Sequence, residues 1–165
     1  MKTPVCEQDA ISGNLCSSCT KKLQAGKITQ LDFEVAQILY KINERHNITN
    51  ASFTKALDLG KVVLILTEGE VGLLIGKDGK VVGELSAALG KKVRIAEAQG
   101  NVKKTIADII SPVRLLGINR VFSQGREFTK VRLPKKDLPR LPIDLQTLER
   151  VLCQLLEEEV QLVFE

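Results

Sequence analysis

Two stretches of this sequence set residues at spacings that could hold a ligand. The first is Leu74-Ile75-Gly76-Lys77-Asp78-Gly79-Lys80. Two glycines flank two polar residues. Glycine lacks a Cβ, so it admits positive φ and lets another backbone approach closely. A helix starting after Gly79 would present N–H groups to phosphate oxygens. Lys77 and Lys80 add cationic attraction. Such a loop can grip a phosphate backbone without reading bases. The plain alternative is a tight turn, because Asp-Gly is a common turn dipeptide and Gly-x-x-Gly alone is a weak signal.

The second stretch holds Cys6, Cys16 and Cys19. Cys16-Ser17-Ser18-Cys19 is half of a zinc knuckle, since two thiolates at this spacing can point at one ion. Cys6-Glu7-Gln8-Asp9 repeats the spacing with a carboxylate in the last place. Together they predict a zinc site of Cys6, Asp9, Cys16 and Cys19, with Gly13 and Gly26 at the turns. His46 and Cys153 are rival ligands, but the first ends a helix and the second lies inside an amphipathic one. The alternative for the three N-terminal cysteines is reduced, unliganded thiols. Four protein ligands leave no position for a reacting water, so this zinc is expected to be structural.

These residues must be positioned by the elements around them. Thr29-Gln30-Leu31-Asp32 is a helix-start signature, and Val35, Ile38, Leu39 and Ile42 follow at helical spacing up to His46. Strands are expected over Ser52 to Asp58 and Lys61 to Thr67. The run Val62 to Leu66 is apolar throughout, as in a strand buried on both faces. A short helix, Glu70 to Ile75, leads into the glycine loop. A second helix, Lys80 to Leu89, leads out of it and stops at Gly90. Lys92 to Ala96 forms a strand. A looser copy of this plan follows. Asn101 caps a helix stopped by Pro112. A hairpin spans Val113 to Phe122 and Glu127 to Leu133. Asp144 caps a helix, and Val160 to Phe164 is a last strand. The repeat is one of pattern, with weak residue identity.

Composition bounds the function. In 165 residues, 44% are apolar, Trp is absent, and there are five Phe and one Tyr. The core is therefore aliphatic, and a binder relying mainly on stacked aromatics is disfavoured. The net charge of +4 permits a polyanionic partner without requiring one. No apolar stretch follows Met1, and the longest apolar run is too short to cross a bilayer, so a cytoplasmic protein with no membrane partner is expected. Only one histidine is present. No nucleotide-phosphate loop, dinucleotide fingerprint or Gly-x-Ser-x-Gly elbow occurs. The chain is expected to be no enzyme and to take no small-molecule substrate.

The order strand, short helix, Gly-x-x-Gly, helix, basic strand over Val62 to Ala96 resembles a KH domain, and the helix and strand before it imply the type II arrangement. The resemblance implies that the groove beside the loop takes single-stranded RNA. Gly76, Lys77, Asp78, Gly79 and Lys80 would hold the backbone. Ile75, Val82 and Leu85 would line the apolar wall, and Lys92 and Arg94 could meet bases or phosphates. Over Thr29 to Glu165 the chain resembles the archaeal NusA-like transcription factors, whose two type II KH units lie in tandem. The second copy here has Leu141-Pro142-Ile143-Asp144 where a glycine loop belongs, so it is expected not to bind RNA in the KH manner. The resemblance implies an α+β fold of two type II KH-like units in tandem after a zinc-knuckle-like segment, with boundaries at 1–28, 29–99 and 100–165. It implies RNA binding in transcription elongation or termination, with RNA polymerase as a partner. Ribosome or RNA maturation, with ribosomal components as partners, is the first alternative. A protein-only adaptor working through the cysteine segment is the second. The hairpin carries Arg120, Arg126, Lys130, Arg132, Lys135, Lys136 and Arg140 against Glu127 and Asp137. It is expected either to extend an RNA path or to be an ordinary solvated hairpin.

Overall fold

The structure, a computed structural model, describes residues 1–98 and 101–165. The expected boundary at Gln99 and Gly100 lies outside the described residues. The chain divides into two compact units, Met1–Gln99 and Gly100–Glu165. Both mix helices with a three-stranded sheet.

The first unit opens with two helices that the sequence pattern did not reveal, α1 (Glu7–Ser12) and α2 (Ser17–Gln24). Each is too short to display a helical period. They are held from outside. Val5, Ala10, Cys19 and Ile28 are buried in one core with Leu39, Phe53, Ile65 and Leu85. Burying Val5 and Ile28 contributes roughly 1.5–3 kcal/mol each. The backbone of Lys2 also bridges to the chain before the first strand, with Lys2 N donating to Ala51 O at 3.1 Å and Phe53 N to Lys2 O at 2.8 Å. Residues 1–28 therefore share the core of the following domain.

Helix α3 (Gln30–His46) begins with the expected capping box. Thr29 Oγ1 accepts from Asp32 N at 3.1 Å, and Asp32 Oδ2 accepts from Thr29 N at 2.9 Å. Strand β1 (Phe53–Asp58) runs antiparallel to β2 (Val62–Thr67). β2 runs parallel to β3 (Lys92–Glu97), so the sheet order is β1-β2-β3. All six residues of β2 are buried: the apolar run Val62 to Leu66, and Thr67, whose hydroxyl donates to Ser52 O. The parallel pairing of β2 and β3 demands a crossover. It consists of α4 (Gly72–Ile75), the glycine loop, and α5 (Lys80–Leu89), which ends on Gly90 in left-handed conformation.

The second unit repeats this order. α6 (Val102–Ile110) is capped by Asn101, whose side chain accepts from Lys103 N at 2.9 Å. β4 (Gly117–Ser123) starts later than expected, because Val113 N donates to Ile110 O in the turn that ends the helix. β5 (Arg126–Leu133) pairs antiparallel with β4 and parallel with β6 (Val160–Phe164). The crossover carries a 3-10 turn, Lys135–Arg140, and α7 (Leu145–Leu156), capped by Asp144. Ile106, Ile110, Val131, Leu133, Leu148 and Leu152 are buried.

Candidate nucleic-acid interface and metal centre

The glycine loop is built by the turn between α4 and α5. Gly76 lies at φ 77°, ψ 171°, where only glycine is comfortable, and Asp78 and Gly79 follow in left-handed conformation. A Cβ on Gly76 would fall 2.5 Å from Val81 Cγ2 and 2.9 Å from Val81 N. At Gly79 the nearest side-chain atom would be 3.7 Å away. The fold itself thus demands glycine at 76 because backbone stands in the way, whereas at 79 the constraint is conformational alone. The Gly76 amide donates to Gly72 O at 2.9 Å, and the Gly79 amide to Gly76 O at 3.2 Å. The Lys80 amide donates to Lys77 O.

Lys77, Asp78 and Lys80 are exposed, and Ile75 is 37% exposed beside them. Val82 is half-buried on α5. Leu85 is fully buried in the core, so it supports the wall from beneath and offers no surface to a ligand. The alternation of β3 sorts the remaining predicted residues. Val93 and Ile95 pack into the core with Leu74, Val81 and Leu85. Lys92 and Arg94 therefore point to the other face of the sheet, away from the helices that carry the loop. Arg94 is half-buried, and burial lowers its pKa. A cavity of about 270 Å³ opens on the loop's own side, between His46 and Asn47 at the end of α3 and Gly72, Lys77 and Lys80.

One contact here was invisible in the sequence. Glu84 of α5 accepts from Arg45 at 2.6 Å and from His46 Nε2 at 2.8 Å. These bonds, Arg45's first, hold its carboxyl below the usual glutamate range. They tie the end of α3 to the helix that leaves the loop. His46 is thereby occupied.

Cys6, Asp9, Cys16 and Cys19 meet in one cluster, with their ligand atoms all within 4.8 Å of one another. Cys6 immediately precedes α1, and the Cys16 side chain caps α2 by accepting from Cys19 N, so two helix starts converge there. The Sγ atoms of Cys6 and Cys16 are 3.9 Å apart, and those of Cys6 and Cys19 are 3.8 Å apart. A tetrahedral ion with zinc–sulfur bonds of 2.3 Å would place its sulfurs about 3.8 Å from one another. The donor set therefore fits zinc. Asp9 is buried, and its Oδ2 accepts from Cys16 N at 2.9 Å. That amide, followed by the Cys19 side chain, holds the Asp9 carboxyl far below its usual range. Burial pushes the Cys19 thiol up to about 12. Cys153 is half-buried on α7.

The basic hairpin is partly neutralised within its own unit. Arg120 bonds Glu127 and Glu158, each at 3.2 Å. Arg132 reaches Glu165 at 3.6 Å, and Arg140 reaches Asp137 at 3.6 Å. No helix among the described residues is long and apolar enough to cross a membrane.

No family model matches the chain. Part of it is similar to two curated archaeal proteins, both named probable transcription termination protein NusA. The protein of Methanocaldococcus jannaschii is 36% identical over 73 residues, which is 43% of this chain and 40% of that protein. The protein of Methanococcus vannielii is 34% identical over 55 residues, 33% of this chain and 32% of that protein. The chain thus resembles the NusA-like transcription termination proteins, and the matches span between a third and two fifths of their length. A solved structure described as the crystal structure of APE1850 superposes with a TM-score of 0.50 at 22% identity, covering 78% of this chain and 98% of that one. It shares the fold.

Proposed function

We propose that this chain is a non-enzymatic, cytoplasmic RNA-binding factor of the NusA-like kind, which grips single-stranded RNA through Gly76-Lys77-Asp78-Gly79. The observation that carries this reading is the loop itself. Gly76, Asp78 and Gly79 take positive φ, and Lys77 and Lys80 stand exposed at either side. The Gly76, Gly79 and Lys80 amides are spent inside the turn, so the grip falls to the rest of the loop and to the two lysine ammoniums. Ile75 and Val82 provide the apolar flank. The first unit is read as a type II KH domain because its sheet has the order β1-β2-β3 with one antiparallel and one parallel pair. The second unit has the same pairing without a glycine loop and is read as a degenerate KH-like unit. The names of the partial relatives support a role in transcription termination or elongation beside RNA polymerase.

A structural zinc held by Cys6, Asp9, Cys16 and Cys19 completes the reading. It would staple two short helices whose own length does not stabilise them. The tests are direct. Affinity for short single-stranded RNA is measured against salt for the natural protein and for Lys77→Asp. A loss of at least tenfold, with the melting curve unchanged and the salt slope lowered by about 0.7 for the lost phosphate contact, is expected. Unchanged affinity in Lys77→Asp would reduce the loop to a turn. Metal analysis under reducing conditions is expected to give one zinc per chain, and none after Cys16→Ser,Cys19→Ser.

A further inference from the structure

The open face of the second sheet carries a pattern that the loop reading does not use. β5 alternates strictly. Thr129, Val131 and Leu133 are buried, and Arg126, Phe128, Lys130 and Arg132 turn to the opposite face. The register extends that face across its neighbours. Val121 lies opposite Phe128 and Asn119 opposite Lys130 on β4, and Gln161 lies beside Lys130 on β6. None of these outward residues is buried. Glu165, a carboxylate at the end of this face, is taken by Arg132. Glu127 of the hairpin points to the opposite face with Arg120.

The fold therefore segregates charge that the sequence shows as a mixture. Arg126 and Lys130 stand about 13 Å apart on one strand face, with an aromatic ring between them. The Lys130 ammonium lies 6.0 Å from the Phe128 ring centre, so the cation and the ring already share one surface. A flat ring flanked by cations matches a nucleotide, with a base stacking on the ring and phosphates on the charges. An acidic peptide would satisfy the charges, but its carboxylates carry no aromatic face to stack on Phe128.

We infer that this face, centred on Phe128 with Arg126 and Lys130, is a second contact surface for single-stranded RNA, independent of the glycine loop. The choice of RNA as the polyanion rests on the reading of the first unit. The two are separated by the test, which uses the full chain and a uridine-rich oligonucleotide carrying photoreactive 4-thiouridine. Cross-linked peptides are mapped by mass spectrometry. The expected result is a cross-link within Arg126–Arg132 that persists in Lys77→Asp. In that background, Phe128→Ala weakens residual binding about tenfold. Arg126→Glu,Lys130→Glu removes it, and Phe122→Ala, which alters an exposed ring on the other face, leaves it unchanged. Cross-links confined to the glycine loop would overturn this inference and keep the loop. Cross-links at Phe128 together with unaltered affinity in Lys77→Asp would keep this inference and overturn the loop. Competition by polyglutamate more effective than by polyuridylate would overturn it in favour of an acidic protein partner.

Discussion

The two units solve the same topological problem with different chemistry. Each must carry the chain from its middle strand back to a parallel third strand, and each uses a crossover ending in a capped or glycine-started helix. In the first unit residues 68–79 contain α4 and the glycine loop. In the second, residues 134–144 make the same passage with Pro134, Pro139 and Pro142 and a 3-10 turn. Sheet order and pairing are the same in both. The comparison teaches that the fold closes without a glycine loop. Within the first unit the backbone of Val81 requires glycine at 76, so what the shared topology does not require is the pair of exposed lysines, Lys77 and Lys80.

The largest test of this comparison is removal of the proposed zinc. The first unit leans on two helices of six and eight residues gathered at the cysteine cluster, whereas the described second unit has no such cluster. Chelation, or Cys16→Ser,Cys19→Ser, is expected to lower the first unit's melting temperature by roughly 10 °C or more. The amide exchange of the second unit should stay as it was. Equal loosening of both units would break the comparison.

Next in size is the contrast within the loop. Gly76→Ala must both adopt φ 77° and push against the backbone of Val81. A cost of about 3 kcal/mol is expected. Gly79→Ala meets no atom closer than 3.7 Å and should cost about 1 kcal/mol for its left-handed φ. Thermal melts compare the two. RNA affinity then sharpens the result, because Gly79→Ala should fold yet bind several-fold more weakly if a phosphate backbone comes up against that position. A Gly79→Ala protein with full affinity would place the RNA elsewhere.

The difference between units also shows what the sequence could reveal. Helices with a clear period were legible, so α3, α5 and α7 stand where their apolar spacing put them, and β2 stands where its unbroken apolar run did. The strictly alternating β5 was legible too, but its meaning was not. Counting charge along the hairpin mixed Arg120, which two carboxylates neutralise, with Arg126, which stands on the open face. Only strand pairing separates them. The same holds for Lys92 and Arg94, whose charge suggested the loop's groove and whose register turns them to the other face. The cysteine spacing announced its cluster directly, because ligand chemistry is local. Helices α1 and α2 were hidden because what holds them lies in α3 and the shared core.

Asp32 is a moderate case of the same kind. Thr29 and Asp32 were readable as a capping box, but Asp32 is also buried and its Oδ1 accepts from Ala56 N of β1 at 2.7 Å. One carboxylate thus joins the start of α3 to the sheet. Asp32→Ala would leave the buried Ala56 amide without its acceptor, at a cost of about 2 kcal/mol. The cap side chains of the second unit, Asn101 and Asp144, accept from the amides of Lys103 and Thr147, two and three residues on. Hydrogen exchange in Asp32→Ala should therefore show β1 opening along with α3. Fraying of α3 alone would mean that the helix and sheet are joined by the apolar core without this bond.

The smallest effect is on acid stability, and it distinguishes the units by where their titrating carboxylates lie. In the first, Arg45 and then His46 depress the pKa of Glu84. In the second, the Thr147 hydroxyl and then its amide depress that of Asp144. A carboxyl whose folded pKa is lowered stabilises the protein above its unfolded value, near 4.3 for Glu and 3.9 for Asp. That contribution is lost as pH falls through the lower folded value. Both groups lie at the surface, so each effect is small and screened. Glu84→Gln should melt slightly below the natural protein at pH 7 and match it near pH 2, with the change confined to α3 and α5. Asp144→Asn should show its loss in α7. In 1 M salt the Glu84 difference should shrink, because it joins charges, and the Asp144 difference should largely remain, because Thr147 is neutral. A Glu84 difference that survived high salt would mean that geometry rather than charge links α3 to the helix leaving the loop.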